Sequence, residues 1–270
     1  MNSQVSYPDE NVISHHYILC RYSKYGIYFL GEDVAFIYPD FETALFGKFV
    51  NGVMIAAKPT KIIAERCHNG IKDLKFAKPN KNAPTLKFQR PTHLKPGDQP
   101  TVCDPFERKN IYIGPGVKQD GVFARRDIRQ GELICYLSGT IFNMQDNPIF
   151  FRNQTFHEKY ASHRNLISMR TDEKGKPLHL NVPEGYWNIT QFRATLGHKI
   201  NHSFVKARSA FDFATHPRYG LIRSVIAIED IYKDEEIFVN YHYNLGTSIQ
   251  WYKDLYEFEI GGNANLRNKH

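Results

Sequence analysis

The chain has 270 residues, of which 41% are hydrophobic and 14% aromatic, enough for a folded core and too many for a disordered chain. No run of about 18 apolar residues occurs, which excludes a membrane-spanning helix, and the start of the chain lacks the apolar stretch of a secretory signal. Its four cysteines are scattered without a C-x-x-C pair, which argues against a disulfide framework or a cysteine zinc site and favours a reducing compartment.

The formal net charge of +7 is unevenly distributed. Residues 57–97 contain ten Lys or Arg against Glu65 and Asp73, a balance of +8. Such a run is a solvated face, or a contact surface for nucleic acid or an acidic partner. The sequence therefore leaves open a weak nucleic-acid contact through this segment.

The N-terminal hundred residues are predicted to form a β-meander. The segments "DVAFIYPD" and "ALFGKFVNGVMIAAK" alternate like strands, and Asn51-Gly52 is a strong signal for a hairpin turn. The tripeptide "LKF" occurs at 74–76 and again at 86–88 around the turn-rich "PNKNAP". This repeat predicts a second hairpin, with lysines on its solvent-exposed face.

After the hinge "HLKPGDQP", short strands dominate the chain. They are predicted in "NIYIG", "GVFARRDI", "ELICYLSG", "LHLNVP", "YGLIRSVIAI" and "EEIFVNYHY". A helix is predicted over residues 188–200, with Asn188 as its N-cap and Gly197 near its end. A second short helix is predicted in "SIQWYKDLYEFEI". The fold class is mostly β with small helical insertions.

The segment "LGHKINHSF" concentrates polar side chains that invite several interpretations. His198 and His202 lie four residues apart, as in a zinc-binding helix, but Lys199 replaces the glutamate of an H-E-x-x-H motif. Asn201-His202-Ser203 formally matches a glycosylation acceptor, which needs a secretory route. The side chains could also bind the orphan carbonyls of a helix end. We predict no metal site here.

A wider pattern gives a further interpretation. "DGVFARRDIRQGELICYLSG", "NHSF" and "EEIFVNYHY" follow one another over about 120 residues. In this order they resemble the motifs of SET-domain protein-lysine methyltransferases. With "YPDFETALFGKFVNGVMI", "LGHKINHSF" and "HPRYG", the chain is similar to the subgroup in which MORN repeats precede a single SET domain.

The resemblance implies a SET β-fold with a pseudoknot and short helices, preceded by a MORN-like antiparallel meander. It implies four segments: a shortened MORN-like region (1–60), a basic hairpin segment and hinge (61–106), the SET domain (107–243) and a C-terminal segment (244–270). The implied reaction is methyl transfer from S-adenosylmethionine to lysine in a histone tail or another nuclear protein.

The resemblance also implies the site residues. The expected cofactor-binding residues are Asp120, Gly121, Asn165, His198, Lys199, Asn201, His202 and Trp251, with His202 and Trp251 on the adenine side. The expected catalytic residues are Tyr241, Tyr243 and Tyr136, which would wall a narrow channel that desolvates the lysine ammonium and lowers its pKa. Tyr241 and Tyr243 lie two apart, so they would share one face of a strand.

The sequence departs from the family pattern in the channel. Leu137 stands where the first channel tyrosine is expected, and Tyr136 precedes it, so a bulge would be needed to bring Tyr136 to that face. Phe211 replaces another expected tyrosine, and Leu255 replaces an expected acidic residue. The alternative function is therefore a catalytically impaired SET-fold scaffold that keeps the cofactor turn.

The remaining expectations concern partners. The acidic group Asp230, Asp234, Glu235 and Glu236 is either an attraction for a basic substrate tail or a solvated turn. The resemblance implies work in the nucleus or on the chromosome, with the cytoplasm as a further location, by a monomer without membrane attachment.

Overall fold

The computed structural model describes residues 12–14, 31–50, 53–68, 71–88, 101–117, 119–143, 167–171, 174–182, 186–246 and 248–261. The chain divides into two compact units, Met1–Phe88 and Gln89–His270. The division into four segments stays a prediction.

Antiparallel strands form the sheet of the first unit. Its strands are β1 (Val12–Ser14), β2 (Gly31–Ile37), β3 (Thr43–Val50), β4 (Val53–His68) and β5 (Ile71–Ala77). They lie in the order β1-β5-β4-β3-β2, and Val50 pairs with Val53 across the predicted Asn-Gly turn, whose residues lie outside the described ones. The predicted N-terminal antiparallel meander is therefore confirmed.

The second predicted hairpin is wrong. β5 contains the first "LKF" and pairs with β4 on one edge and β1 on the other. Leu86, in the second "LKF", instead exchanges backbone hydrogen bonds of 2.9 and 2.7 Å with Ala57 of β4. Because both edges of β5 are already paired, residues 86–88 cannot join it.

The second unit is built from short strands and two short helices among the described residues. In chain order they are α1 (Pro105–Asn110), β6 (Ile111–Pro115), β7 (Asp120–Ala124), β8 (Leu133–Leu137), β9 (Thr140–Asn143), β10 (Ile167–Thr171), β11 (Pro177–Asn181), β12 (Asn201–His202), β13 (Ser209–His216), β14 (Gly220–Ala227), β15 (Phe238–Val239) and α2 (Gln250–Tyr256). The mostly β prediction is confirmed.

The strands of the second unit form separate small sheets. One sheet has the order β12-β15-β13-β14-β8, another the order β10-β11-β9, and β6 pairs with β7. β12 runs parallel to β15, with Asn201 opposite Phe238 and His202 opposite Val239. This pairing places the "NHS" segment beside β15, and the chain continues from β15 to the tyrosine pair.

The helix predicted over residues 188–200 is wrong. Asn188 accepts hydrogen bonds from the backbone nitrogens of Thr190, Gln191 and Phe192, each 2.9 Å long, but this turn does not continue. Consecutive residues from Ala194 to Gly197 are buried, so burial does not follow one helical face. A single 3-10 turn, Gly197–Lys199, follows.

The C-terminal helix prediction is confirmed by α2, which continues into a short π-helical turn, Glu257–Gly261. None of the helices in the described part of the chain is long and apolar enough to cross a membrane.

An apolar cluster of the second unit supports the segment that carries the histidines. Leu196 and Ile200, on either side of the 3-10 turn, are buried with Val122, Ile134 and Val239. The backbone between them is thereby fixed at both ends.

Candidate active site

Residues 196–205, which we call the central turn, carry the predicted "LGHKINHSF" side chains. Gly197 is required at its start, because a Cβ there would lie 2.6 Å from both the Tyr136 carbonyl oxygen and the Leu137 Cγ. Because the 3-10 turn ends at Lys199 and β12 follows, His198 and His202 do not share a helical face. The helical premise of a zinc pair is therefore not met.

Asn201 belongs to a cluster of polar groups at the turn that joins β6 to β7. Its Nδ2 donates to Glu236 Oε1 at 2.7 Å, and the backbone nitrogen of Val117 donates to Glu236 Oε2 at 3.2 Å. A Cβ at Gly116 or Gly121 would overlap this carboxylate. The backbones of Gly116 and Gly121 lie close together and form a cradle, which the Glu236 carboxylate fills.

Lys199 and Asp120 place opposite charges beside this cradle. Lys199 Nζ lies 3.4 Å from Asp120 Oδ2, and their side chains are 18% and 50% exposed. At this distance, and with Asp120 half exposed, the ion pair contributes little stability. Both charges therefore remain available to a charged ligand.

His198 is enclosed beside the turn. Its ring lies 5.4 Å from that of Phe192, and burial, helped by the Lys199 charge, lowers the pKa of His198 to about 3. Neither ring nitrogen has a well-formed hydrogen bond within the described residues, although the Thr195 backbone faces the ring. The imidazole is therefore neutral at pH 7, and protein encloses both of its nitrogens.

His202 lies inside an aromatic cluster. Its ring stacks on Tyr252 at 4.7 Å, lies 5.0 Å from Tyr241 and 6.3 Å from Trp251, and meets the edge of Phe204 at 4.3 Å. Its Nδ1 lies 3.0 Å from the Val239 carbonyl oxygen. The structure therefore places Trp251 beside His202.

Tyr241 and Tyr243 lie next to each other, with ring centroids 5.5 Å apart. They do not share the face of a strand, because β15 ends at Val239 and His242 between them has a φ of 54°. The Tyr241 hydroxyl donates to the Ile200 carbonyl oxygen at 2.6 Å. Burial, with a contribution from Tyr243, raises the pKa of Tyr241, so its hydroxyl stays protonated at neutral pH.

Tyr136 is not brought to the other predicted residues. Its buried ring meets the edge of His216 at 4.7 Å and lies 6.2 Å from Phe106. The register shift between β8 and β14 lies before Tyr136, so Tyr136 and Leu137 still face opposite sides of the sheet. Leu137 faces the core on which Tyr241 and Phe211 pack. The strand alternation thus separates Tyr136 from the tyrosine pair.

The acidic group already has partners within the protein. Asp230 pairs with Arg129 at 2.8 Å, Glu235 pairs with Arg208 at 2.9 Å, and Tyr112 donates to Asp234 at 3.0 Å. Glu236 belongs to the cradle instead. The structure therefore favours the solvated-turn interpretation over a groove for a basic tail.

Sequence reasoning missed the roles of Glu236, Tyr252 and Phe204, which contact the predicted residues directly. Only Phe204 had a signal, as the last letter of "NHSF".

Asn165 lies outside the described residues. In those residues there is also no group of three or more His, Cys, Asp or Glu that could hold a metal ion.

Comparison with known proteins supports the motif pattern. Residues 119–242 match the SET domain family model, and residues 27–69 match the model described as "Histone H3 K4-specific methyltransferase SET7 N-terminal". A "Histone-lysine N-methyltransferase SETD7" of Halocynthia roretzi is 28% identical over 237 residues, which are 82% of this chain and 57% of the relative. A "Variant-silencing SET domain-containing protein" of Plasmodium falciparum is 22% identical over 66% of this chain and 6% of its own length.

Among solved structures, the Neurospora SET domain protein DIM-5, a histone lysine methyltransferase, has a TM-score of 0.36. It is 16% identical over 52% of this chain and 56% of its own. This chain spans little more than half the length of the first of its curated relatives. On these matches, residues 119–242 are similar to SET domains and follow a region similar to the SET7 N-terminal region.

Proposed function

We propose that the protein is a protein-lysine methyltransferase that uses S-adenosylmethionine. The observation that carries this proposal is the contact of two sets of residues that the resemblance assigned to cofactor and substrate. His202 of the central turn packs directly against Tyr241 of the tyrosine pair. A methyl donor bound beside His202 and a lysine bound beside Tyr241 would therefore lie next to each other.

The residues of the central turn fit the amino-acid end of this cofactor. That end carries an ammonium and a carboxylate, for which Asp120 and Lys199 supply the complementary charges. Gly116 and Gly121 allow the Glu236 carboxylate to approach the backbone and bond Asn201, which fixes Asn201 beside Asp120.

The residues around His202 fit the nucleoside end. The ring of Trp251 is 39% exposed and lies beside His202, so it offers a face on which adenine can stack. His198 belongs to the same turn, and we propose that it contacts the cofactor through its backbone, because protein encloses both of its ring nitrogens. We keep Asn165 as a further cofactor residue on the strength of the resemblance.

S-adenosylmethionine supplies a methyl group on a sulfonium, which a neutral amine can attack. The protein must therefore desolvate and align the lysine amine and exclude water. Tyr241 suits this role because its hydroxyl proton is committed to Ile200, which leaves the oxygen free to accept a hydrogen bond from the amine. Tyr243 would guide the aliphatic part of the lysine.

A second candidate, a SET-fold scaffold with impaired catalysis, is favoured by Leu137 and Phe211. Both are apolar where the resemblance expects tyrosine, and the Phe211 ring stacks on Tyr241 at 6.4 Å. Fewer hydroxyls around the amine would either change how many methyl groups it accepts or slow the reaction. Tyr136 packs with His216, and we propose a structural role for it.

For substrate and location we propose a histone tail or another nuclear protein, in the nucleus, with the protein acting as a monomer. The support is the similarity to the histone-lysine N-methyltransferase of Halocynthia roretzi. MORN-like character of the first unit is likewise a proposal.

The test is calorimetric titration of S-adenosylmethionine into the parent and the His202→Ala variant, followed by methyl transfer to histone peptides. We expect the parent to bind, the variant to lose binding, and the parent to methylate lysine. No binding by the parent would overturn both candidates' shared premise. Binding without transfer would reject the enzyme and leave the scaffold.

A further inference from the structure

Glu259, in the π-helical turn after α2, binds the end of the central turn. Its two carboxylate oxygens each lie 3.0 Å from Ser203 Oγ, and Oε2 accepts from the backbone nitrogen of Phe204 at 2.6 Å and of Val205 at 3.3 Å. The partners are 54 to 56 residues away along the chain. One side chain of the C-terminal segment thus fixes the residues directly after Asn201 and His202.

The Ser203 hydroxyl is the donor in its contact with Glu259. Its oxygen accepts from the backbone nitrogens of Val205 at 3.3 Å and Lys206 at 3.0 Å, so its proton is donated to Glu259. Ser203 is only 1% exposed. Hydrogen bonds from a hydroxyl and two amides to a carboxylate in such a site are charge-assisted and stronger than neutral ones.

Aromatic rings hold the same segment in place. Phe204 contacts Tyr252 at 4.8 Å and Tyr256 at 5.2 Å, and Tyr252 stacks on His202. By contrast, Phe258 beside Glu259 is 79% exposed. The π-helical turn therefore contributes a polar contact to the central turn, while α2 contributes the apolar one.

We infer that Glu259 is a positioning residue for cofactor binding. By fixing Ser203 and the amides of Phe204 and Val205, it holds the adjoining Asn201 and His202 in the arrangement that binds the cofactor. Docking of the C-terminal segment and cofactor binding are then coupled, and each strengthens the other by the same factor. The coupling rests on the proposed cofactor, whereas the contact itself does not.

The experiment compares Glu259→Gln with Glu257→Gln. Glu257 lies in the same turn with an exposed side chain, so the control loses the same charge without changing the central turn. Amide hydrogen exchange of Phe204 and Val205 reports the contact without any cofactor. Calorimetric affinity for S-adenosylmethionine, and KM against kcat where transfer is observed, report the coupling.

We expect Glu259→Gln to increase exchange at both amides and to weaken cofactor affinity roughly tenfold, since a charge-assisted hydrogen bond is lost. KM for the cofactor should rise while kcat stays within about twofold. Glu257→Gln should match the parent. Unchanged exchange would overturn the contact, and increased exchange with unchanged affinity would overturn the coupling.

A second variant keeps the test decisive if Glu259→Gln does not fold. Ser203→Ala removes the hydroxyl from the other side of the contact, and should increase exchange at Phe204 in the same direction. A parent that binds no cofactor would reject the proposed function and the coupling, while the exchange comparison would still decide whether Glu259 holds the turn.

Discussion

Lys199 carries a partly buried positive charge at the edge of the glycine cradle. Replacing it by alanine should weaken S-adenosylmethionine binding roughly ten- to a hundredfold, because a charged hydrogen bond to the ligand carboxylate is lost. Lys233→Ala is the matched control, since its side chain is exposed in a turn away from the central turn. Titration calorimetry measures both. Equal affinities would show that Lys199 does not contact the ligand.

His198 predicts how stability depends on pH. Burial lowers its pKa to about 3, whereas the unfolded residue titrates near 6.5. The unfolded state therefore binds a proton first as pH falls below 6.5, and stability is lost progressively down to the folded pKa. This residue alone should lower the free energy of unfolding by about 2 kcal/mol between pH 7 and pH 5.

Urea denaturation of the parent and His198→Gln at both pH values checks this. Glutamine does not titrate, so the variant should lose less stability on acidification. Other histidines contribute to both proteins and cancel in the difference. Identical pH dependence would show that His198 becomes protonated in the folded protein.

At the scale of elements, α1 depends on its N-cap. Asp104 is buried, and its Oδ1 accepts from the backbone nitrogens of Phe106 at 2.9 Å and Glu107 at 3.1 Å. Its Oδ2 lies 2.9 Å from Nε2 of His216, at the end of β13. Burial lowers the pKa of His216, so a neutral ring donates this hydrogen bond at pH 7. The cap thus joins a helix to a strand 112 residues later.

Asp104→Ala should destabilise the protein by about 3 kcal/mol, since it removes the cap and leaves the buried His216 donor without this acceptor. Asp104→Asn keeps an oxygen for the cap, so it should lower the free energy of unfolding by less than Asp104→Ala does. Denaturant unfolding of both variants measures the difference. Equal losses would show that the cap contributes nothing beyond the contact with His216.

Some elements could be read from the chain and others could not. The Asp104-Pro105 pair is a helix-start signal, with proline at the first position, and it could have predicted α1. The false helix over 188–200 had a real N-cap at Asn188, but its apolar residues follow tertiary burial. Local signals thus locate the start of an element better than its extent.

The candidate site shows the same limit. The motif order found the central turn and the tyrosine pair, because their chemistry is concentrated in short segments. Tyr241 and Tyr243 are adjacent because the backbone at His242 is left-handed, and not because they share one face of a strand. Glu236 and Glu259 could not be found this way, because their partners are 35 and about 55 residues distant and depend on chain crossing.

On the scale of the whole molecule, the basic segment predicts a salt-dependent interaction. Lys58, Lys61, Lys75, Lys78 and Lys81 all lie within the described part of the first unit. If this segment contacts nucleic acid, affinity for random duplex DNA should fall about tenfold or more between 50 and 200 mM salt, because neutralised phosphates release counterions. Fluorescence anisotropy over a salt series measures this. An affinity indifferent to salt would exclude the contact.

The parallel pairing of β12 with β15, and the contact of Glu259 with Ser203, have a consequence for biosynthesis. In the first unit, β2 to β5 pair between consecutive segments, so that sheet can form while the ribosome is still translating the rest. The central turn has no such option, since its partners at 238–239 and 259 are translated after it. A nascent chain would therefore present a folded first unit while the central turn still lacks the C-terminal segment, which has yet to leave the ribosome.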